Sequence, residues 1–372
     1  MHTMIPFINV RAQREAYLSE LKQAEQEVLD SGCFIGGPQV QALESELAEF
    51  TGAKHAITCG SGTDALTIAL LALGLQPEDE VIVPDFTFIA PAECVMRLGG
   101  IPKFADIDPE TLQVSTESIA NLITPKTKGI IAVNLFGQCA PYEKIRKCAC
   151  ANNLWLIEDS AQAFGATQNG VPACTFGDIS ITSFYPAKPL GCYGDGGALF
   201  TANDELAQSI RLIANHGSQT RYIHEICGMN SRLDAIQAAV LRVKFRHFKD
   251  ELKKRSENAR KYDEFFNTIP GIAPQKIANG NTSTYAQYTV LAEDRATFLK
   301  QLESVGVPYC IHYPMPLHTQ PCFKELAQVC ESLSASRDCA SNATVACQKV
   351  VSLPMCAFTD VDEIIARLKK VM

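Results

Sequence analysis

What most restricts the fold of this chain is a regular alternation, between residues 55 and 201, of short apolar runs with helical stretches. HAITCG, EVIVPD, PKFADI, GIIAVN and LWLIED have the length and apolar character of strands, and helical patterns separate them at 60–75, 88–98, 115–123 and 141–152. Such alternation builds βαβ units and hence a mostly parallel sheet. Ahead of it, residues 12–31 read as one helix, and Gly36-Gly37-Pro38 punctuates the chain before QVQALESELAEF, a second helix. VLRVKFRHFKDELKKRSENARKYDEFF, around 240–266, reads as one long charged amphipathic helix that connects two domains. Beyond it YAQYTVLA, VPYCIHYP and VVSLPM read as strands, mixed with helices at 294–304 and 360–371. The division predicted is a large α/β domain with an N-terminal arm, 1–247, and a smaller α+β domain, 248–372.

A chain of 372 residues is long enough for two domains. Its formal charge of -8, without a Lys/Arg run, argues against a nucleic-acid or acidic-membrane partner, though a local basic pocket for an anionic substrate is compatible with it. The N-terminal MHTMIPFINVRAQREAYL lacks a basic segment followed by a long apolar one, and no stretch approaches 18 apolar residues. The reading is a cytoplasmic protein with no signal peptide and no membrane span. Fifteen cysteines are scattered, and the close pair Cys148 and Cys150 falls in a helical pattern. They read as reduced thiols rather than disulfides or zinc ligands, so no metal is expected.

Open α/β sheets bind ligands at the carboxyl ends of their strands. Four loops in that position carry useful residues. The apolar run Ile179–Phe184 leads into Lys188, bracketed by Pro186 and Pro189 and followed by GCYGDGG at 191–197. A lysine held away from water loses its proton easily and becomes an amine nucleophile, the kind that forms Schiff bases with pyridoxal 5′-phosphate (PLP). Asp159 ends LWLIED, where a carboxylate can pair with the pyridinium nitrogen of PLP; the alternative is a cap for the following SAQAFGA. Glu158 should point to the other side of that strand end. Gly60-Ser61-Gly62-Thr63 precedes a helix, so its N–H groups and the Thr63 hydroxyl can hold a phosphate, or Thr63 simply caps a tight turn. Ser183 is a natural second phosphate ligand. The glycine run at 191–197 is not a dinucleotide fingerprint, because it lacks GxGxxG spacing and precedes a strand.

SFYPAKPLGCYGDGGALF, IEDSAQAFGA, GSGTDAL, PDFTFIAPAE and NSRLDAIQAAVL, with IHYPMPLHTQP and SLPM near the end, together resemble the DegT/StrS group of PLP-dependent sugar aminotransferases. The resemblance covers essentially the whole chain. It implies fold type I, the aspartate aminotransferase type, with a mostly parallel seven-stranded large domain, a small domain and a homodimer with shared active sites. It also implies that Lys188 is the Schiff-base lysine and proton shuttle, that Asp159 binds the ring nitrogen, and that Gln162 lies near the phenolic oxygen. Phe88 would stack on the ring, and Gly62, Thr63 and Ser183 would hold the phosphate, joined by Asn230 of the neighbouring subunit. Group members that replace the lysine with histidine are dehydratases; this chain keeps Lys188, which favours transamination.

PLGCYGDGGA, NSRLD, YAQYTV and the HYPxPLxxQP run resemble most the members that install a 3-amino group on UDP-linked 2-acetamido uronic acids with L-glutamate as donor. There an arginine, a histidine and a tyrosine surround the sugar carboxylate, positions matched by Arg232, His312 and Tyr313. A guanidinium reads a carboxylate through two parallel hydrogen bonds. The residues themselves leave open a dimer salt bridge for Arg232 and a core role for His312. Alternatives at the level of activity are a 3-keto or 4-keto 6-deoxy nucleotide sugar as acceptor, or a lyase or desulfurase using Cys192.

Overall fold

The structure, a computed structural model, describes residues 5–324 and 341–372. Strands β1 (His55–Cys59), β2 (Glu80–Pro84), β3 (Ile101–Ala105), β4 (Thr127–Val133) and β5 (Trp155–Asp159) alternate with helices as the sequence predicts. A small hairpin, β6 (Thr167–Gln168) and β7 (Val171–Pro172), then precedes β8 (Ile179–Ser183) and β9 (Gly197–Thr201). Seven of these form one sheet in the order β1-β9-β8-β5-β4-β2-β3. Only β9 runs against its neighbours; the other six strands share one direction.

Burial on both faces explains why these strands read as continuous apolar runs. Successive side chains alternate sides. Val81, Val83, Ile131 and Ile157 enter the core beneath the helices Gly62–Ala72 and Asp204–Ala214. Their neighbours Ile82, Ile130, Ala132 and Leu156 enter the opposite core with Ile119 and Ile145. Full burial of such a side chain stabilises the fold by roughly 1.5–3 kcal/mol.

A second, antiparallel sheet joins β10 (Ile272–Pro274), β11 (Tyr288–Ala292) and β12 (Val350–Leu353). Its core contains Tyr262, Phe266, Tyr288 and Phe298, and Ile5 of the N-terminal arm packs against it.

Three sequence expectations change. The helix over 12–31 is two helices, Val10–Ala16 and Leu18–Ser31, with Tyr17 between them. The long helix around 240–266 is also two, Ala235–Arg246 and Phe248–Phe266. The two breaks meet: Tyr17 stacks on His247 at 4.1 Å, and Glu20 accepts a 2.9 Å hydrogen bond from the imidazole. VPYCIHYP is not a strand. Pro308 and Pro314 lack the N–H a ladder needs, and only Cys310 bridges, to Ser352.

Among the described residues thirteen cysteines are free thiols, no His/Cys/Asp/Glu group has metal-site geometry, and no helix is long and apolar enough to cross a membrane. Cys330 and Cys339 lie outside the described residues.

Candidate active site

The sheet brings several chain segments together at one edge. Gly197, the first residue of β9, pairs with Cys59 at the end of β1 and with Ser183 at the end of β8. Gly62 opens the helix after β1, and a Cβ there would stand 2.8 Å from the Ser183 Cβ. Only glycine lets Ser183 approach the helix start so closely. The cap is Ser61, whose hydroxyl accepts from Asp64 N at 3.0 Å, and not Thr63. The Thr63 hydroxyl is thus not spent on the cap, and the residue lies in the first turn of the helix next to Gly62. Ser231 braces this turn from behind, accepting from Gly60 N at 2.9 Å and donating to Asp64 at 2.8 Å.

Lys188 follows β8 in a tight loop, its N–H donating to Tyr185 O at 2.8 Å. Burial lowers the pKa of its ammonium below the usual lysine value, and Asp159 pulls the other way. Asp159 is 5% exposed at the end of the neighbouring strand β5. Burial raises its carboxyl to about 6, against the backbone N–H of Ala161, which donates at 2.9 Å, and the charge of Lys188. SAQAFGA forms turns rather than a helix, so Asp159 caps none.

Glu158 points into the opposite side of the strand end, as the alternation of a strand requires. Its two oxygens accept five hydrogen bonds, from Asn134, Ser160, Ser180 and the amides of Cys174 and Phe176. The two adjacent carboxylates thus differ sharply. Glu158 is saturated by the protein, whereas Asp159 accepts one hydrogen bond from the described residues and has an oxygen to spare.

The segment 310–321 closes the other side. His312 Nδ1 lies 3.0 Å from Ser352 Oγ, and burial, reinforced by the positive charge of Lys188, lowers its pKa to about 4. His312 is therefore a neutral hydrogen-bonding group at pH 7. Gln162 accepts from Phe136 N at 2.7 Å and donates to the Tyr313 hydroxyl at 3.3 Å, and burial raises the pKa of that phenol. The Phe88 ring, 52% exposed, lies 6.4 Å from that of Tyr313. Sequence reasoning missed the clasp that holds this segment. Asp85, at the end of β2, accepts from His318 Nδ1 at 2.6 Å and His318 N at 2.9 Å, and its carbonyl accepts from Leu317 N at 2.8 Å. The signal was available, since Asp85 ends an apolar strand just as Asp159 does.

One chain thus gathers Lys188, Asp159, Gln162, Ser183, Gly62, Thr63, Phe88, His312 and Tyr313. Asn230 and Arg232 stand apart. Both are exposed, the Arg232 guanidinium donates to Asn215 at 3.2 Å, and both lie ahead of the helix, which begins at Ala235. Cys192 is buried, and its thiol donates to Phe184 O and Gly194 O at 3.1 Å each. Burial raises its pKa, which makes it a tie within the loop and a poor nucleophile. A separate crevice of about 530 Å³, lined by Asp108, Glu117, Lys144, Gln168 and Asn281, holds none of these groups.

The donor set suits a phosphorylated pyridine aldehyde. A helix start with Thr63 and Ser183 offers donors to a phosphate. Asp159, buried with an oxygen to spare, suits a cationic ring N–H, and Lys188 is an amine whose burial favours its neutral form.

Fold and site together define an aminotransferase of fold type I. The chain matches the DegT/DnrJ/EryC1/StrS aminotransferase family over residues 17–369 and belongs to it. It is 46% identical over 318 residues to the UDP-2-acetamido-2-deoxy-3-oxo-D-glucuronate aminotransferase of Pseudomonas aeruginosa, covering 86% of this chain and 88% of that one. The structure of Streptomyces venezuelae DesV in complex with a ketimine intermediate superposes with a TM-score of 0.93 at 34% identity, over 99% of this chain and 98% of that one. NtdA of Bacillus subtilis, with bound cofactor PMP, superposes with a TM-score of 0.88 at 29% identity, over 100% of this chain and 86% of that one.

Proposed function

We propose that the chain is a PLP-dependent aminotransferase moving the amino group of L-glutamate to the C3 keto group of a UDP-linked 2-acetamido-2-deoxy uronic acid, for surface polysaccharide or glycan synthesis. The observation that carries the reading is the pair near the strand ends: a half-buried lysine whose amine is desolvated, close to a buried carboxylate that has an oxygen to spare. The substrate class is supported by the 46% identity to a 3-oxo-glucuronate aminotransferase.

Bound there, PLP supplies an electron sink for the bond-breaking step. The residues do the rest. Lys188 would hold the cofactor and carry the proton to and from the substrate carbon. Asp159 would keep the ring nitrogen protonated, with Gln162 available to the phenolic oxygen and Phe88 to a ring face. Gly62, Thr63 and Ser183 would hold the phosphate. His312, neutral at pH 7, and Tyr313 offer hydrogen bonds to the sugar, so Arg232 is the cation that pairs with its C6 carboxylate. Because both are exposed, and Arg232 donates to Asn215 in one chain, we take Arg232 and Asn230 to reach the site of a second copy in a homodimer. Residues 1–247 and 248–372 form the two domains in this reading, and the enzyme works in the cytoplasm. The direct test is mass spectrometry of the products made from a panel of UDP- and dTDP-ketosugars with glutamate. Amination of neutral 6-deoxysugars in preference to a uronate would overturn the substrate assignment.

A further inference from the structure

Lys244 is buried, 1% exposed, on the helix Ala235–Arg246; among the described residues no carboxylate is within ion-pair distance, although the charge of Glu251 favours its protonated form. Its ammonium donates to the carbonyl of Gly191 at 2.6 Å and stands 4.2 Å from the centre of the Tyr193 ring. Both partners belong to the glycine loop that follows Lys188. Tyr193 is placed for its ring face, since its buried hydroxyl has no partner among the described residues. About two turns earlier on the same helix, Gln237 accepts from Tyr193 N at 2.7 Å. The same helix therefore grips the loop at two points.

The grip matters because of how the loop closes. Gly191 lies against the carbonyls of Tyr185 and Pro186, where a Cβ would come within 2.6 and 2.7 Å. Tyr185 O accepts the Lys188 N–H, and Cys192 N donates to Phe184 O at 2.8 Å. A shift of Gly191 is thus transmitted directly to the backbone of Lys188. Burying a charge with no carboxylate in direct contact is costly, and burial lowers the Lys244 ammonium to about 8 although Glu251 pulls the other way. An apolar residue of similar volume would be tolerated at least as well for stability alone.

We propose that Lys244 is a positioning residue: its charge fixes the 185–196 loop and so aims the Lys188 amine at the reacting carbon. The catalytic part rests on the reading of Lys188 as the cofactor lysine; the grip on the loop does not. The test compares the wild type with Lys244→Met, and with Lys244→Gln, which keeps a shorter neutral donor. Amide hydrogen exchange of each protein is followed by mass spectrometry, along with the urea midpoint, kcat and the KM for the sugar. In Lys244→Met we expect exchange to quicken within 184–196 alone, the urea midpoint to hold, and the sugar KM to stay near its wild-type value while kcat falls about tenfold, as loss of orientation predicts. Lys244→Gln should fall between, and it carries the test if the methionine variant does not fold. Unchanged exchange in 184–196, or faster exchange spread over the whole chain with a lowered midpoint, would overturn the proposal. So would a kcat within about twofold of wild type, well short of that loss. A wild-type protein whose Lys188 takes no pyridoxyl label refutes the functional reading instead, and the exchange result still decides the grip.

Discussion

The strand ends and the segment from His216 to Arg232 are two halves of one proposed site, built in opposite ways. At the strand ends the groups are anchored by the sheet, and Asp159 and Gln162 are 5% and 3% exposed. The other segment lies on the surface, with Tyr222 80% and Ile223 59% exposed, and among the described residues Arg232 has only the side chain of Asn215 to hold it. Rigid support suits groups that must meet a reacting atom within a fraction of an ångström. An arginine proposed to select the substrate, with large apolar neighbours in water, suits a surface that a second copy covers. The contrast suggests that each chain carries the chemistry of its own site and the substrate preference of its partner's.

The most drastic way to break that division is Lys188→Ala. Nucleophile and proton carrier disappear together, so kcat should fall by at least about 10³-fold. The covalent pyridoxyl label left by borohydride reduction should vanish with it. Peptide mapping that places the label on another lysine of the wild type would remove Lys188 from the centre of the site.

Arg232→Lys probes the other half. A lysine cannot reproduce the paired hydrogen bonds of a guanidinium, and a desolvated carboxylate left imperfectly paired costs about 2–4 kcal/mol in kcat/KM. The loss should be confined to uronate substrates, with a much smaller effect on a 6-deoxy or 6-hydroxymethyl ketosugar. Equal losses on both sugar types would show that Arg232 serves the dimer or the cofactor.

The same two halves were unequally legible. The parallel sheet could be read because burial on both faces leaves unbroken apolar runs such as Val81–Val83 and Leu156–Ile157. Asp159 stood out as a carboxylate directly after such a run, and strand alternation sent Glu158 the other way. Helix breaks were hidden, since nothing local at Tyr17 or His247 forbids a helix; the stacking of the two rings and the Glu20 contact are tertiary. Ser61 and Thr63 are both good caps by type, and only the backbone shows which one turns its hydroxyl to Asp64 N. The Asp85–His318 clasp joins residues far apart in the chain, and no local pattern couples them.

A smaller effect sharpens the account of the strand ends. In the unfolded chain Asp159 titrates near 3.8, and in the fold burial raises it to about 6. Between those values the folded protein binds more protons, so this group lowers stability as pH rises from about 4 through 6, and its cost is complete at pH 7. The shift corresponds to about 2–3 kcal/mol. Cofactor-free protein should therefore gain more urea resistance on going from pH 7 to pH 5 than Asp159→Asn does. PLP should shrink the difference by giving the carboxylate a cation to pair with. Identical pH dependence in the wild type and Asp159→Asn would mean that solvent reaches Asp159 freely.

The mildest substitution tests the sharing of sites most directly. Asn230→Ala removes one neutral ligand from a phosphate that Gly62, Thr63 and Ser183 still hold, so PLP retention should weaken by about 1 kcal/mol, several-fold in Kd. If Asn230 serves the partner's site, the defect can be cured without restoring the asparagine to the same chain. In a mixed dimer with Lys188→Ala, the chain carrying Asn230→Ala keeps its own Lys188 and receives the intact Asn230 of its partner. That site should hold PLP as tightly as the wild type, while the second site of the mixed dimer lacks both. Mixing the two variants after partial unfolding and refolding should therefore raise activity at limiting PLP above that of the two variants assayed unmixed. Failure to recover, together with a fully active monomer in sedimentation at assay concentration, would place Asn230 in its own chain's site or in none.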